Sequence, residues 1–295
     1  MTYNANFNMD NTVPSNLVRH IRLPEFIPEV TFCIVTFGEL KELQNLLLSI
    51  ATSMQDTPYC VFIYSNYNER SEISYELTEL YNKGNIQLLC ISPRNTVMGA
   101  CRNVLIEDVL TFVGKSKYIV FCDSDAVFLD FNWFSYCKKA FNENTRLGLL
   151  AHDGGYWESY SPTGGEKRIT YTDLDYEIDL DKFHVASSYF FCVPTRILKE
   201  NKAIRFDPTF CFWFDDDDFA LQILSHGYSM GIIKGSALEH IGHKGQEMNP
   251  IIYGRKENIA EARQLLFEKW KDYLYNKNMP LFSRLFLEGD YLKDD

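Results

Sequence analysis

A chain of 295 residues, 46% hydrophobic and 15% aromatic, can bury about three-quarters of its unfolded surface, so one large globular domain, or one domain with an appendage, is expected. Forty acids against 29 bases leave a net charge of −11 with no basic run, which argues against nucleic acid as a partner. An anionic ligand would need a metal or a few local bases to be held by so acidic a protein.

In chain order, residues 1–27 form a polar leader without the apolar core of a signal peptide, and no window approaches the roughly 18 apolar residues of a membrane span. Residues 30–36 (VTFCIVT) form a first strand, followed by an amphipathic helix through Leu40, Leu43, Leu46, Leu47 and Ile50. A second strand (60–64), a helix (69–83), a third strand (86–91) and a helix (98–112) lead to Tyr118-Ile119-Val120-Phe121-Cys122, a strand that ends abruptly in Asp123-Ser124-Asp125. Apolar runs without polar alternation are strands covered on both faces. Their repetition with helices predicts right-handed crossovers and an α/β fold with a mostly parallel sheet. Ligands of such sheets bind at the C-terminal ends of the strands, where Asp123 and Asp125 can share a divalent cation or grip a ribose and a metal together. No Gly-x-Gly-x-x-Gly follows the first strand, which disfavours a dinucleotide site. Of the eight cysteines none forms a Cys-x-x-Cys pair, and Cys33, Cys60, Cys90 and Cys122 fall inside apolar runs. A reduced, cytoplasmic chain is expected.

The second half changes character. Residues 153–181 are rich in Gly, Tyr, Thr and acids and predict hairpins or an insert over the site, with Tyr156, Trp157 and Tyr160 as flat faces for a sugar ring. Residues 187–193 restore a strand. Then Phe210-Cys211-Phe212-Trp213-Phe214 is followed at once by Asp215-Asp216-Asp217-Asp218 and an apolar helix. Asp215 can cap that helix and the acids suit its dipole, but adjacent carboxylates repel, so four behind an aromatic wall imply that at least one has chemistry to do. Trp213 is expected to line the site. Near the C-terminus Ile259, Ala262, Leu266, Trp270 and Tyr273 share one helical face. Packing against the domain is preferred over a weak peripheral membrane contact, because the polar side mixes acids with bases.

These residues resemble, in order, the motifs of family 2 glycosyltransferases of the GT-A fold. Val35-Thr36-Phe37 resembles the opening strand, and Asn95-Thr96-Val97-Met98-Gly99-Ala100-Cys101-Arg102-Asn103 the Asn-x-Gly-x-x-x-Ala-Arg-Asn segment. Asp123-Ser124-Asp125 resembles Asp-x-Asp, and Asp215 to Gln222 resembles Glu-Asp-x-Asp-Leu-x-Leu-Arg, followed by Gly227-Tyr228 and His240. In two places the chain departs from the family: Ser65-Asn66 stand where an acid usually holds the nucleobase, and Gln222 replaces an Arg.

The resemblance implies a GT-A domain over 28–250, with a nucleotide-binding half (28–125) and an acceptor-binding half (126–250), and a C-terminal helical extension over 251–295. It implies inverting transfer from a nucleotide sugar, UDP-linked by expectation, to a hydroxyl of a saccharide or other glycan acceptor. Thr36, Phe37, Ser65, Asn66, Arg102, Asp123, Ser124 and Trp213 would then line the donor site, with Arg102 placed to meet a phosphate bidentately. Asp123, Asp125 and His240 would hold Mn²⁺ or Mg²⁺, the imidazole favouring Mn²⁺. Asp216 would take the acceptor proton. Apart from the resemblance, residues 235–250, with three glycines, two histidines and Lys244 and little apolar content, are expected to form a lid over the diphosphate. A retaining glycosyltransferase, a sugar-phosphate nucleotidyltransferase and an inactive sugar-binding protein are the competing readings. The acid cluster disfavours the first, the absence of a glycine-rich basic loop after the first strand disfavours the second, and the presence of both Asp125 and Asp216 disfavours the third.

Overall fold

The structure is a computed structural model that describes residues 12–66, 71–94, 96–152, 154–157, 166–169, 176–177, 185–210, 214–233, 238–241, 262, 264–266 and 268–273. Its first half runs β1 (Val18–Ile21), β2 (Val30–Thr36), α1 (Leu40–Ser53), β3 (Tyr59–Ser65), α2 (Ser71–Asn82), β4 (Leu88–Ile91), α3 (Met98–Phe112) and β5 (Tyr118–Asp123). β2 is buried along its whole length, as its lack of polar alternation requires. The strand's two faces serve different layers. Phe32 and Ile34 pack with Leu43, Leu46 and Ile50 of α1, while Cys33 and Val35 pack with Val104, Leu105 and Val109 of α3.

The second half adds β6 (Ala126–Phe128), α4 (Trp133–Glu143), β7 (Leu147–Ala151), β8 (Gly154–Trp157), β9 (Glu166–Ile169), β10 (Tyr176–Glu177), β11 (Val185–Ala186), β12 (Phe190–Pro194), α5 (Thr195–Glu200), α6 (Asp215–Ser225), β13 (Ser229–Ile233) and β14 (Leu238–His240). Nine strands form one sheet in the order β1-β4-β3-β2-β5-β12-β7-β13-β10. β4, β3, β2 and β5 are mutually parallel. β12 is antiparallel to both β5 and β7, so β7 and its parallel neighbour β13 run in the direction of β5. The α/β fold with a mainly parallel sheet is therefore as expected.

Two features differ from the sequence reading. Residues 18–21, inside the polar leader, form β1 and pair antiparallel with β4 at the sheet edge. Being short and mostly exposed, as edge strands tend to be, β1 leaves no periodic signal. The strand predicted at 187–193 exists as β12, but it is wedged antiparallel into the sheet centre, and direction is not encoded in an all-buried run such as FFCVP.

Two small sheets stand at the site end. β8 pairs antiparallel with β9 and β11, the hairpin expected in the insert, and β14 pairs antiparallel with β6. Near the C-terminus Leu266 and Trp270 are buried against Phe210 and Leu221, with Phe214, Leu224 and Tyr273 alongside. This portion of the predicted apolar helical face is thus covered by the domain. Ile259 lies outside the described residues. Among the described residues no helix is long and apolar enough to cross a membrane.

Candidate active site

The site forms where β5 stops. Asp123 is its last residue, and Asp125 stands immediately before β6, which pairs with β14 so that His240 lies opposite Ala126. The Ile241 amide donates to the Asp125 carbonyl at 3.1 Å and extends this ribbon. Backbone pairing therefore delivers His240, far away in sequence, to the acid pair. Its Nε2 lies 3.1 Å from Asp125 Oδ1 and 3.7 Å from Asp123 Oδ2. One donor atom from each of the three residues falls within 4.8 Å of the other two. Asp125 is buried, whereas Asp123 and His240 remain partly open. Two carboxylates and one imidazole this close together are a donor set that suits a divalent cation able to take both oxygen and nitrogen ligands. The residues present therefore fit Mn²⁺ or Mg²⁺.

The ends of β2 and β3 form the floor. Glu39 Oε2 accepts from the Phe37 amide at 2.9 Å, from Thr36 Oγ1 at 3.1 Å and from Ser124 Oγ at 3.3 Å. This carboxylate ties the end of β2 to the middle residue of Asp-Ser-Asp, and the sequence reading missed it. The Thr36-x-x-Glu39 spacing, a capping-box pattern, is the signal that could have found it. Ser65 and Asn66 are both buried. Asn66 donates to the Thr96 carbonyl at 2.6 Å and accepts from the Thr96 amide at 2.8 Å. It thus pins the loop before α3, a role the sequence did not announce.

Arg102 was expected at a phosphate. In the structure it is buried, with Nη1 donating to Asp215 at 2.8 Å and Nη2 donating to Asp123 and to Ser188 Oγ, each at 3.1 Å. Its guanidinium carbon lies 5.0 Å from the centre of the Phe206 ring. Gly99 lets α3 come this close to the 206–207 segment: a Cβ there would stand 3.1 Å from that of Phe206. Asn103, one helical turn further on, closes the contact by bonding both backbone groups of Phe206, at 2.7 and 3.0 Å.

The four acids of α6 separate into different roles. Asp215 does not cap the helix; the preceding position is Phe214, in the left-handed region at φ 68°, a strained conformation for a bulky residue. Asp215 instead pairs with Arg102. Asp216, half-buried, accepts from the Ser188 amide at 3.3 Å and the Asp217 amide at 3.0 Å. Asp218, with no exposed surface, accepts from Gln222 at 2.7 Å, from the Trp270 indole at 2.7 Å and from Lys269 at 2.8 Å. Gln222 also bonds the Arg205 amide and carbonyl at 3.0 and 2.7 Å. This buried bonding accounts for an amide where the resembling motif has Arg.

Burial pushes the Asp215 carboxyl up to about 7, with Arg102 opposing and Asp216 and Asp123 adding to the rise. Burial also raises Asp216, against the pull of Arg102 and of backbone amides. Desolvation, more than the neighbouring acids the sequence suggested, is thus the first cause of its proton affinity. Trp213, and residues 235–237 and 242–250 of the predicted lid, lie outside the described residues.

This architecture is the GT-A fold of glycosyltransferases. The mannosyltransferase PcManGT from Pyrobaculum calidifontis, in complex with GDP-Man and Mn²⁺, matches with a TM-score of 0.52 at 13% identity, covering 76% of this chain and 60% of its own. S. aureus TarS 1–349 matches with a TM-score of 0.53 at 15% identity over 85% of this chain and 73% of its own. The complex of that protein with UDP matches with a TM-score of 0.52, at 15% identity, over 84% and 72%. This chain therefore spans about 60% of the mannosyltransferase it resembles. No family model and no curated protein matches the sequence.

Proposed function

We propose that this protein is an inverting, metal-dependent glycosyltransferase that moves a sugar from a nucleoside diphosphate, UDP for preference, to a hydroxyl of a saccharide or other glycan. The observation that carries the reading is the Arg102 bridge. One guanidinium touches both Asp123 of the acid pair and Asp215 of α6, so the cation-binding end of β5 and the start of the acid helix are held one side chain apart. That closeness supports an in-line transfer, in which help for the leaving group and help for the nucleophile must flank one anomeric carbon.

In this reading the residues divide the work. Asp123, Asp125 and His240 would hold Mn²⁺ or Mg²⁺, which when bound would offset charge on the departing diphosphate. The acceptor oxygen attacks the anomeric carbon and its proton passes to the Asp216 carboxylate. The bond from that carbon to the diphosphate oxygen breaks, and the configuration inverts. A nucleotide-binding half over 28–125 and an acceptor-binding half over 126–250 follow from the same reading. The seven cysteines among the described residues are all buried and free, which supports a reducing, cytoplasmic setting, and polysaccharide biosynthesis is the process we assign.

The test is a panel of nucleotide sugars with Mn²⁺, followed for nucleoside diphosphate released by slow hydrolysis and, once an acceptor is found, for the anomeric configuration of the product. Release that disappears in Asp125→Ala, and an inverted product, are the expected results. A retained configuration would move the assignment to the retaining class. Pyrophosphate formed from a nucleoside triphosphate and a sugar phosphate would indicate a nucleotidyltransferase.

A further inference from the structure

We propose that Tyr189 is a positioning residue for the cation site, fixing the His240 imidazole so that Nε2 faces Asp125 and Asp123; the inference rests on the metal-site reading above. Three different parts of Tyr189 carry it. The ring lies flat on the His240 imidazole, with centroids 4.5 Å apart and planes 9° apart. The hydroxyl meets Nδ1 of His152 at 2.7 Å, which stops the ring from sliding over the imidazole. The carbonyl accepts from the Asp123 amide at 3.2 Å. One buried residue thus sets two of the three ligands, His240 through its ring and Asp123 through its backbone.

The need for such a support lies in the placement of His240. It ends a strand of only three residues, and Glu239, His240 and Ile241 are all exposed. A histidine on such a strand would otherwise sample several rotamers and lose that freedom on binding a cation. Stacked on a ring that is itself tethered to His152, the imidazole is ordered beforehand. Outer residues that hydrogen-bond to a ligand typically change metal affinity by about 10- to 100-fold when removed, and a stacked support is set at the low end of that range. His152 follows β7 and Tyr189 precedes β12, adjacent strands at the sheet centre, so the support is anchored in the rigid part of the fold.

The experiment is Mn²⁺ binding to the full chain without nucleotide, read from the EPR signal of free Mn²⁺. Tyr189→Leu removes the ring and is expected to weaken binding by about tenfold or more. Tyr189→Phe and His152→Ala keep the ring but remove its tether, and are expected to weaken it less. In a His240→Ala background none of these changes should have a further effect, because the residue being positioned is gone. General loosening of the fold would instead weaken binding by the same factor in both backgrounds, and that result would overturn the inference, as would unchanged affinity in Tyr189→Leu. If Tyr189→Leu fails to fold, Tyr189→Phe and His152→Ala carry the same comparison, and unaltered affinity in both overturns it. Asp125→Ala keeps the two ideas apart. Equal Mn²⁺ binding in Asp125→Ala and the unaltered chain, or no binding by the unaltered chain, overturns the metal-site reading itself.

Discussion

Asp216 and Asp218 lie two positions apart on one helix, yet their surroundings give them opposite fates. Asp218 is saturated by Lys269, Trp270 and Gln222 and has no exposed surface, so it has no access to a substrate hydroxyl. Asp216 is half-open and is held by backbone amides, those of Ser188 and Asp217 among them. Asp216→Asn keeps the shape and loses the proton acceptor. Transfer should fall by about 10²-fold or more, while nucleoside diphosphate affinity stays near normal because Asp123 and Asp125 are untouched. Asp218→Asn should act mainly on stability, lowering the melting temperature more than the rate per folded molecule. A larger loss of turnover in Asp218→Asn would move the base to that residue. A base must be ionised to act, and burial raises the pKa of Asp216. The transfer rate should therefore rise with pH along an acid limb displaced above the ordinary carboxylate range, as a pH–rate profile would record.

At the scale of elements, α6 is held from two directions. Arg102 grips its first residue from α3, and the C-terminal helical residues grip Asp218 through Lys269 and Trp270. Removing the indole N–H leaves a fully buried carboxylate short of one donor, which typically costs about 1.5–3 kcal/mol for a bond to a charged group. Trp270→Phe should lose about that much in urea unfolding while retaining most of the packing against Phe210 and Leu221. An unchanged unfolding midpoint would mean that the clasp is replaceable by water. The sequence made part of this legible. The apolar runs revealed β2, β3 and β5, and the helix over 98–112 appears as α3 with those bounds, because period and burial leave a direct trace. The clasp and the stack of Tyr189 on His240 leave none: each joins segments remote in sequence, and their residue types have many other uses, whereas the Glu39 tie leaves only the local Thr36-x-x-Glu39 spacing and its reach to Ser124 is hidden. The direction of β12 was hidden for a related reason, since a strand buried on both faces reads the same whichever way it runs.

At the scale of the molecule, the two halves meet at the buried Arg102 cation. Arg102, on a helix of the first half, meets Asp215, on a helix of the second, and Asp123 at the junction between them. Its own pKa is raised by those acids, against the effect of burial, so it stays charged. Asp215 is pulled both ways: Arg102 favours its ionised form, whereas burial, Asp216 and Asp123 favour the protonated one and bring it to about 7 from an ordinary 3.8. Between those two values the folded chain keeps a proton that the unfolded chain releases. The contribution of this group to stability is therefore complete below about pH 4 and is lost as the pH rises towards 7. Asp108, Asp216 and Asp218 are also raised by burial and act in the same sense, whereas Asp207, lowered by Lys269 and Thr209, acts in the opposite one. The contribution of Asp215 must therefore be isolated by difference. Asp215→Asn keeps an oxygen for Arg102 but removes the titration. The stability gap between the unaltered chain and Asp215→Asn, measured by urea unfolding in EDTA so that no cation occupies the site, should shrink as pH rises from 5 to 7 and level off above it. A gap that widens over that range would show that pairing with Arg102 outweighs burial. Asp215 would then be an ionised partner at every working pH, and the two halves would be joined by a permanent ion pair instead of one whose carboxyl takes up a proton on acidification.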